Sequence, residues 1–388
     1  MQTRNGRVIS EGCGKCHISG MYSPPLLYMA TQKITEEEID AIDCLICHAR
    51  EYDMSKKKVF KDEHGYRWGQ DRSMRAAVSA GHADAQACLR CHVETFTTKR
   101  ATPYTPEEDV HAKAGLNCTT CHISEGHLIA KGRFGTDLVT EDLPEVKVSC
   151  EGCHTLSPHK GSDQADTLNT HTAKLSCEAC HITQLGSENW RYRDWSKPIF
   201  NEAMGIYQPT TVITNETKEA LTFRWFDGTS TVMAQARGAR TDGKSRVYPF
   251  KLFQAVMPED AANRGPTGGM LLPIDRHFYY REGNPDKFVR NAMEKPFMKL
   301  MYGEGMAGMM MKGTMNKMMR AIGLEGFKAP WGGNYVWSEM RGDATLMVNH
   351  AIKKNGRECA SCHTSDGIID FKNLGYSTEE IQRLTWTK

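Results

Sequence analysis

The stretch HAKAGLNCTTCHISEGH, residues 111–127, gathers Cys118, Cys121, His111, His122 and His127 within seventeen positions. Thiol and imidazole groups at this density can hold zinc, run dithiol chemistry or do something else, and the local spacing serves all of these. The rest of the chain separates them. CGKCH (13–17), CLICH (44–48), CLRCH (88–92), CTTCH (118–122), CEGCH (150–154), CEACH (177–181) and CASCH (359–363) repeat one pattern, and the seven copies use all 14 cysteines.

A zinc knuckle or a redox dithiol has no need of histidine directly after the second cysteine. Histidine is 15 of 388 residues, so seven such adjacencies arise by chance on the order of once in 10^10. Covalent attachment of haem c does need that order: two thiols three apart add to the vinyl groups, and the adjacent imidazole reaches the iron. A disulfide framework is set aside on the same ground. The expectation is seven haem c groups, held by Cys13 and Cys16, Cys44 and Cys47, Cys88 and Cys91, Cys118 and Cys121, Cys150 and Cys153, Cys177 and Cys180, and Cys359 and Cys362. His17, His48, His92, His122, His154, His181 and His363 are their first axial ligands.

Eight histidines remain for seven sixth positions: His64, His82, His111, His127, His159, His171, His277 and His350. A histidine on both faces of each iron gives the low-spin centre suited to electron transfer, whereas substrate chemistry needs a vacant position. His82, His111, His127, His159 and His171 lie within twelve residues of a motif and His350 lies nine before Cys359, so a haem edge is near each. His64 and His277 are further away. Two of His64, His82 and His277 are expected to complete the set, with His277, among the aromatic residues of LLPIDRHFYY, as the spare.

The elements that must position these groups have little apolar material. Six motifs share the 169 residues from Cys13 to His181, about 28 per haem, too few for a separate core around each. A hydrophobic content of 39% and a mean hydropathy of −0.54 fit a chain whose macrocycles supply the core. The formal charge is +2, but propionates bring about −1 per ferric and −2 per ferrous haem. The loaded protein is then acidic and nucleic acid is not its partner; lysine runs such as Lys56 to Lys58 read as a solvated face. Thioether attachment of haem takes place outside the cytoplasm, which points to the periplasm or cell surface. Met1 to Glu11 has no apolar leader core, so the expectation is that a leader has been lost, and no run of 18 apolar residues offers a spanning helix.

Three regions follow: a haem-dense region 1–190, a haem-free insertion 191–345, and a segment 346–388 with the last motif. In the first, ITEEEIDAIDCLICH reads as a helix capped by Thr35 and Glu38. In the insertion, EALTFRWFDGTSTVMA reads as two β-rich runs about an Asp-Gly turn. Residues 293–323 carry ten of the 21 methionines and read as an adaptable helical hairpin, or as a docking surface for a membrane or protein partner.

Several stretches together resemble the tetrathionate-reductase family of octahaem cytochromes c. They are IDCLICH, VHAKAGLNCTTCHISEGH, PHK, LNTHTAKLSCEACHI, FRW, YPFK, VNHAIKKNGRECASCHTSDG and LGY, and they cover most of the chain. The resemblance implies a mainly α fold with extensive irregular loops around stacked haems, a small β-containing insertion, and His111, His127, His159, His171 and His350 as distal ligands. Such proteins carry an eighth motif, absent from this sequence, and a substrate-accessible haem bound by lysine, for which Lys56 stands nearest. The leading expectation is a heptahaem electron carrier between redox proteins, a quinol-oxidising membrane complex among them. Its alternatives are a reductase of a sulfur or nitrogen oxyanion with one open haem, and a subunit of a polymeric relay.

Overall fold

The computed structural model describes residues 43–386 apart from 64, 95, 98–99, 131–142, 144–145, 147, 187–188, 203–205, 215–220, 230–235, 265–275, 296–297, 300–304, 307, 310–311, 314–315, 318–327 and 340–343. Cys13, Cys16, His17, His64, the Thr35 cap and most of the methionine-rich segment lie outside the described residues.

The helices are one to three turns long. In chain order they and the strands are α1 Leu45–His48, β1 Val59–Asp62, β2 Gly65–Trp68, α2 Met74–Val78, α3 Ala85–Glu94, α4 Val110–Lys113, α5 Cys118–Cys121, β3 Ser124–Glu125, β4 Leu128–Ile129, α6 Glu151–His154, α7 Ala165–His171 and α8 Cys177–His181. Then come β5 Asn189–Asn201, β6 Ile206–Thr214, β7 Thr222–Phe226, β8 Arg246–Asp260, α9 Arg276–Glu282, α10 Pro285–Met293, β9 Tyr335–Glu339, β10 Ala344–Met347, α11 Ala360–His363 and α12 Thr378–Leu384. A four-residue helix is not stable alone, since nucleation fixes several dihedrals for one hydrogen bond. These helices rely on caps and tertiary contacts. Asp109 caps α4, Ser176 caps α8, Asn284 caps α10, and Ser377 with Glu380 forms a capping box on α12.

The chain forms two compact units, each drawn from three stretches: residues 1–93, 192–212 and 254–342, and residues 94–191, 213–253 and 343–388. In the first, β5 runs parallel to the C-terminal half of β8, pairing Tyr192 with Gln254, while β9 lies antiparallel to β8, pairing Val256 with Glu339. Its core joins Tyr279, Phe288, Val289, Met293 and Met298, with Trp195, Trp331 and Trp337 packed against them. In the second, β7 and β10 are both antiparallel to the N-terminal half of β8. Here Ala179, Ile182 and Leu185 beside α8 pack with Phe223, Trp225, Val247, Val348, Ile369 and Leu374.

This β content exceeds the small insertion expected. Helices are numerous, and beside them β5 and β8 reach 13 and 15 residues, so long strands share the architecture with the helices. The reason lies in RVYPFKLFQAVMPED, whose buried run from Val247 to Lys251 is a doubly covered strand with no polar alternation to announce it. The Asp-Gly turn follows β7, but the second run of that hairpin falls on residues outside the description, and the partner recorded for β7 is β8. Of the methionine-rich segment, Met293 and Met298 are buried while Met306 and Met309 are exposed. Among the described residues no helix is long and apolar enough to cross a membrane.

Candidate haem centres

Each described CxxCH motif folds into one helical turn. The histidine amide donates to the first cysteine's carbonyl at 3.0 Å for His48, 2.8 Å for His122, 2.9 Å for His154 and 2.9 Å for His363. Residues three and four apart share a face of such a turn, so both thiols and the imidazole project together. A reactive dithiol needs a lowered thiol pKa. Here burial pushes the thiols of Cys47, Cys121 and Cys180 up, and that of Cys362 up to about 11, while the neighbouring Cys150 holds that of Cys177 down. Large apolar side chains stand exposed beside the motifs, Ile123 after His122 and Leu156 two residues after His154, which suits the face of an apolar macrocycle.

In the second unit four motif histidines each face another imidazole. Ring centroids are 6.4 Å apart for His122 and His350, 6.0 Å for His154 and His111, 6.2 Å for His181 and His159, and 6.1 Å for His363 and His171. With a metal–nitrogen bond of about 2 Å and roughly 1.1 Å from nitrogen to ring centre, two imidazoles on opposite sides of one iron place their centroids about 6.2 Å apart. The residues present therefore fit haem held by histidine from both faces. Zinc would need a third and fourth donor, and among the described residues no group of three or more His, Cys, Asp or Glu side chains gathers.

The outer ring nitrogens are engaged in the way that turns Nε2 toward a metal. His122 Nδ1 bonds the Ala130 carbonyl at 2.9 Å, His181 Nδ1 that of Lys353 at 2.9 Å, and His363 Nδ1 that of Leu384 at 2.7 Å. His350 is half-buried against Phe96 and Tyr104, and desolvation brings its pKa down to about 4. It is neutral at physiological pH, the state a ligand requires.

The bacterial cytochrome c family matches residues 207–366, and the cytochrome c554 and c-prime family matches residues 43–123. An uncharacterised protein of Archaeoglobus fulgidus is 32% identical over 152 residues, 33% of this chain, and the chain spans about half (48%) of that relative's length. The octahaem cytochrome c of Shewanella oneidensis shares the fold, with a TM-score of 0.58 at 20% identity over 97% of this chain and 84% of that one. The chain is thus similar to multihaem c-type cytochromes in its matched segments and its fold, and haem c is the cofactor that these matches support.

The sheet of the second unit packs against the motif turns through residues that motif scanning does not single out. FRW on β7 pairs with YPFK on β8, Arg224 opposite Tyr248, and Trp225 Nε1 donates to the Leu374 carbonyl at 2.8 Å. The resembling elements FRW, YPFK and LGY thus meet. Arg357 donates to the carbonyls of Ala179 (3.2 Å) and Ile182 (2.8 Å), fixing the turn of Cys177 and Cys180. Asp109 and Arg357 are not legible in the sequence because their contacts with Ile352 and Ile182 lie far along the chain. For Asp109 the clue was an N-cap residue two positions before His111.

In the first unit Arg90 of α3 donates to the carbonyls of Ile46 (2.6 Å), Ala49 (2.7 Å) and Arg50 (2.7 Å), tying the motif at 88–92 to that at 44–48. His48 Nδ1 bonds the Gly81 carbonyl at 2.9 Å, beside exposed His82. His127 occupies the exposed turn between β3 and β4. His92 lies in α3; His277 is in α9, its side chain outside the description. Lys56 donates to buried Asp71 at 2.7 Å, so its ammonium is committed to a carboxylate.

Proposed function

We propose that this protein is an extracytoplasmic heptahaem electron carrier whose irons are held by histidine on both faces. The observation that carries this reading is the set of four facing imidazole pairs. When bound, haem supplies a one-electron ferric–ferrous couple. The protein supplies the rest: thioether anchors that fix spacing, paired rings that fill both axial positions, and carbonyls that hold those rings in orientation. His122 with His350, His154 with His111, His181 with His159 and His363 with His171 are the proposed ligand pairs. His48, His92 and His17 are proposed to hold three further haems, with His82 and His64 among their partners, and His127 is a further proposed ligand.

The cysteines of successive motifs are neighbours. Cys121 lies in the field of Cys153, the Cys150 and Cys177 side chains share a hydrogen bond, and Cys180 lies in the field of Cys359 and Cys362. The proposed order in the second unit is therefore the motifs at 118, 150, 177 and 359 in sequence. Redox proteins are the proposed partners at its ends.

An oxyanion reductase acting at the haem of Cys44 and Cys47 has less support. The cleft beside that motif is lined by Lys56 and Arg75 but also by Glu51, Asp53 and Asp71, and the two cations pair with Asp71 and Glu51. Such a site does not favour an anion. Intact-mass measurement of the denatured holoprotein tests the haem count: seven covalent haem increments are expected, and fewer would overturn the heptahaem reading.

A further inference from the structure

The four distal imidazoles of the second unit differ in what their outer nitrogen meets. His171 Nδ1 bonds the Thr167 carbonyl at 2.7 Å and His159 Nδ1 bonds Asn169 Oδ1 at 3.1 Å. His111 Nδ1 lies 3.4 Å from the carboxylate of Asp109, whose side chain is 1% exposed. His350 Nδ1 is buried with no hydrogen-bond acceptor. Asp109 Oδ1 accepts the amides of His111 (2.8 Å) and Ala112 (3.3 Å), and Oδ2 accepts that of Ile352 (2.9 Å). One buried carboxylate thus ties the segment carrying His111 to the segment carrying His350.

We propose that Asp109 is a positioning residue that lowers the reduction potential of the haem held by His111 and His154, leaving the neighbouring haem of His122 and His350 at a higher potential. The inference rests on the ligand pairs proposed above. A carboxylate this close to Nδ1 polarises the ring and makes Nε2 the stronger donor, which favours ferric over ferrous iron. A buried full charge acts in the same direction and is weakly screened. His350 has no acceptor on its ring, and the guanidinium of Arg100, which donates to the Met347 carbonyl at 2.7 Å, is among the charges that act on it. A cation there favours the reduced state. Asp109 acts on His350 as well, more strongly than Arg100 does, but through space, whereas it lies 3.4 Å from His111 Nδ1. The proximal rings act against this contrast, since His122 bonds the Ala130 carbonyl while His154 makes no such bond among the described residues, so the lowering has to come from Asp109.

Two haems built against one aspartate then form a step in potential. The test is a redox titration of the full-length holoprotein followed by electron paramagnetic resonance, with His111→Ala and His350→Ala used to assign signals. In the wild type the signal lost in His111→Ala should titrate at lower potential than the signal lost in His350→Ala; the reverse order overturns the proposal. In Asp109→Asn the first couple should rise by at least a tenfold change in oxidised-to-reduced ratio at fixed potential, 59 mV for one electron. The second should rise less, and those of the His159 and His171 haems should stay. Asp109→Glu, which keeps the charge, should stay near wild type. An unmoved first couple in Asp109→Asn, or equal shifts in both variants, contradicts the role of the charge. If neither histidine variant loses a low-spin signal, the ligand pairing fails instead.

Discussion

At the residue scale, the attachment turns were legible because thioether chemistry dictates a local pattern of five residues. The pairing of imidazoles was not, because it joins positions as distant as His122 and His350 or His171 and His363, and no local pattern records a contact across some 200 residues. Resemblance supplied distal histidines without their partners. The pairs also differ in ring orientation: His159 and His181 are within 8° of parallel, and His171 and His363 cross at 81°. Parallel imidazole planes split the iron d orbitals that crossed planes leave nearly degenerate. The oxidised protein should therefore show a rhombic low-spin signal that His159→Ala removes, and a strongly anisotropic large-g signal that His171→Ala removes. Paramagnetic resonance checks this, and loss of the rhombic signal in His171→Ala would contradict the assignment.

At the element scale, short helices hold the haem turns only because other elements brace them. The C-terminal helix α12 is a case: its Leu384 carbonyl receives His363 Nδ1, and Arg240 of the insertion pairs with its Glu380 while lying over the Tyr376 ring at 3.9 Å. The Arg240 guanidinium holds the Glu380 carboxyl down to about 2. A carboxyl whose pKa is lower folded than unfolded stabilises the fold above the unfolded value and loses that contribution as pH falls through the folded one. Glu380→Gln should therefore lower the melting temperature at neutral pH, and the difference from wild type should shrink between about pH 4.5 and 2. A gap that persists to the lowest pH would assign the effect to packing. Ser377→Ala, which removes the other half of the capping box, should cost about 1 kcal/mol. The capping box lies in YSTEE and could be read from the sequence; its clamp by Arg240, 140 residues earlier, could not. Strand β8 was missed for a related reason, since a short run covered on both sides shows no alternation.

At the scale of the whole molecule, seven motifs in a chain of modest apolar content announced a cofactor-built protein, and the family matches and the shared octahaem fold agree with that. What composition could not convey is that the stretch between the sixth and seventh motifs is structural framework: Phe223 and Trp225 of β7 and Val247 of β8 pack in one cluster with Ala179 and Cys362 of two attachment turns. Paired histidines should leave no iron open to an outside ligand. Carbon monoxide added to the fully reduced protein is the decisive probe, because it binds ferrous haem only where a sixth position is vacant or weakly held. No spectral change beyond a trace is expected. Binding of one carbon monoxide per chain, lost on substitution around Cys44 and Cys47 and accompanied by turnover of tetrathionate, nitrite or hydroxylamine, would contradict it.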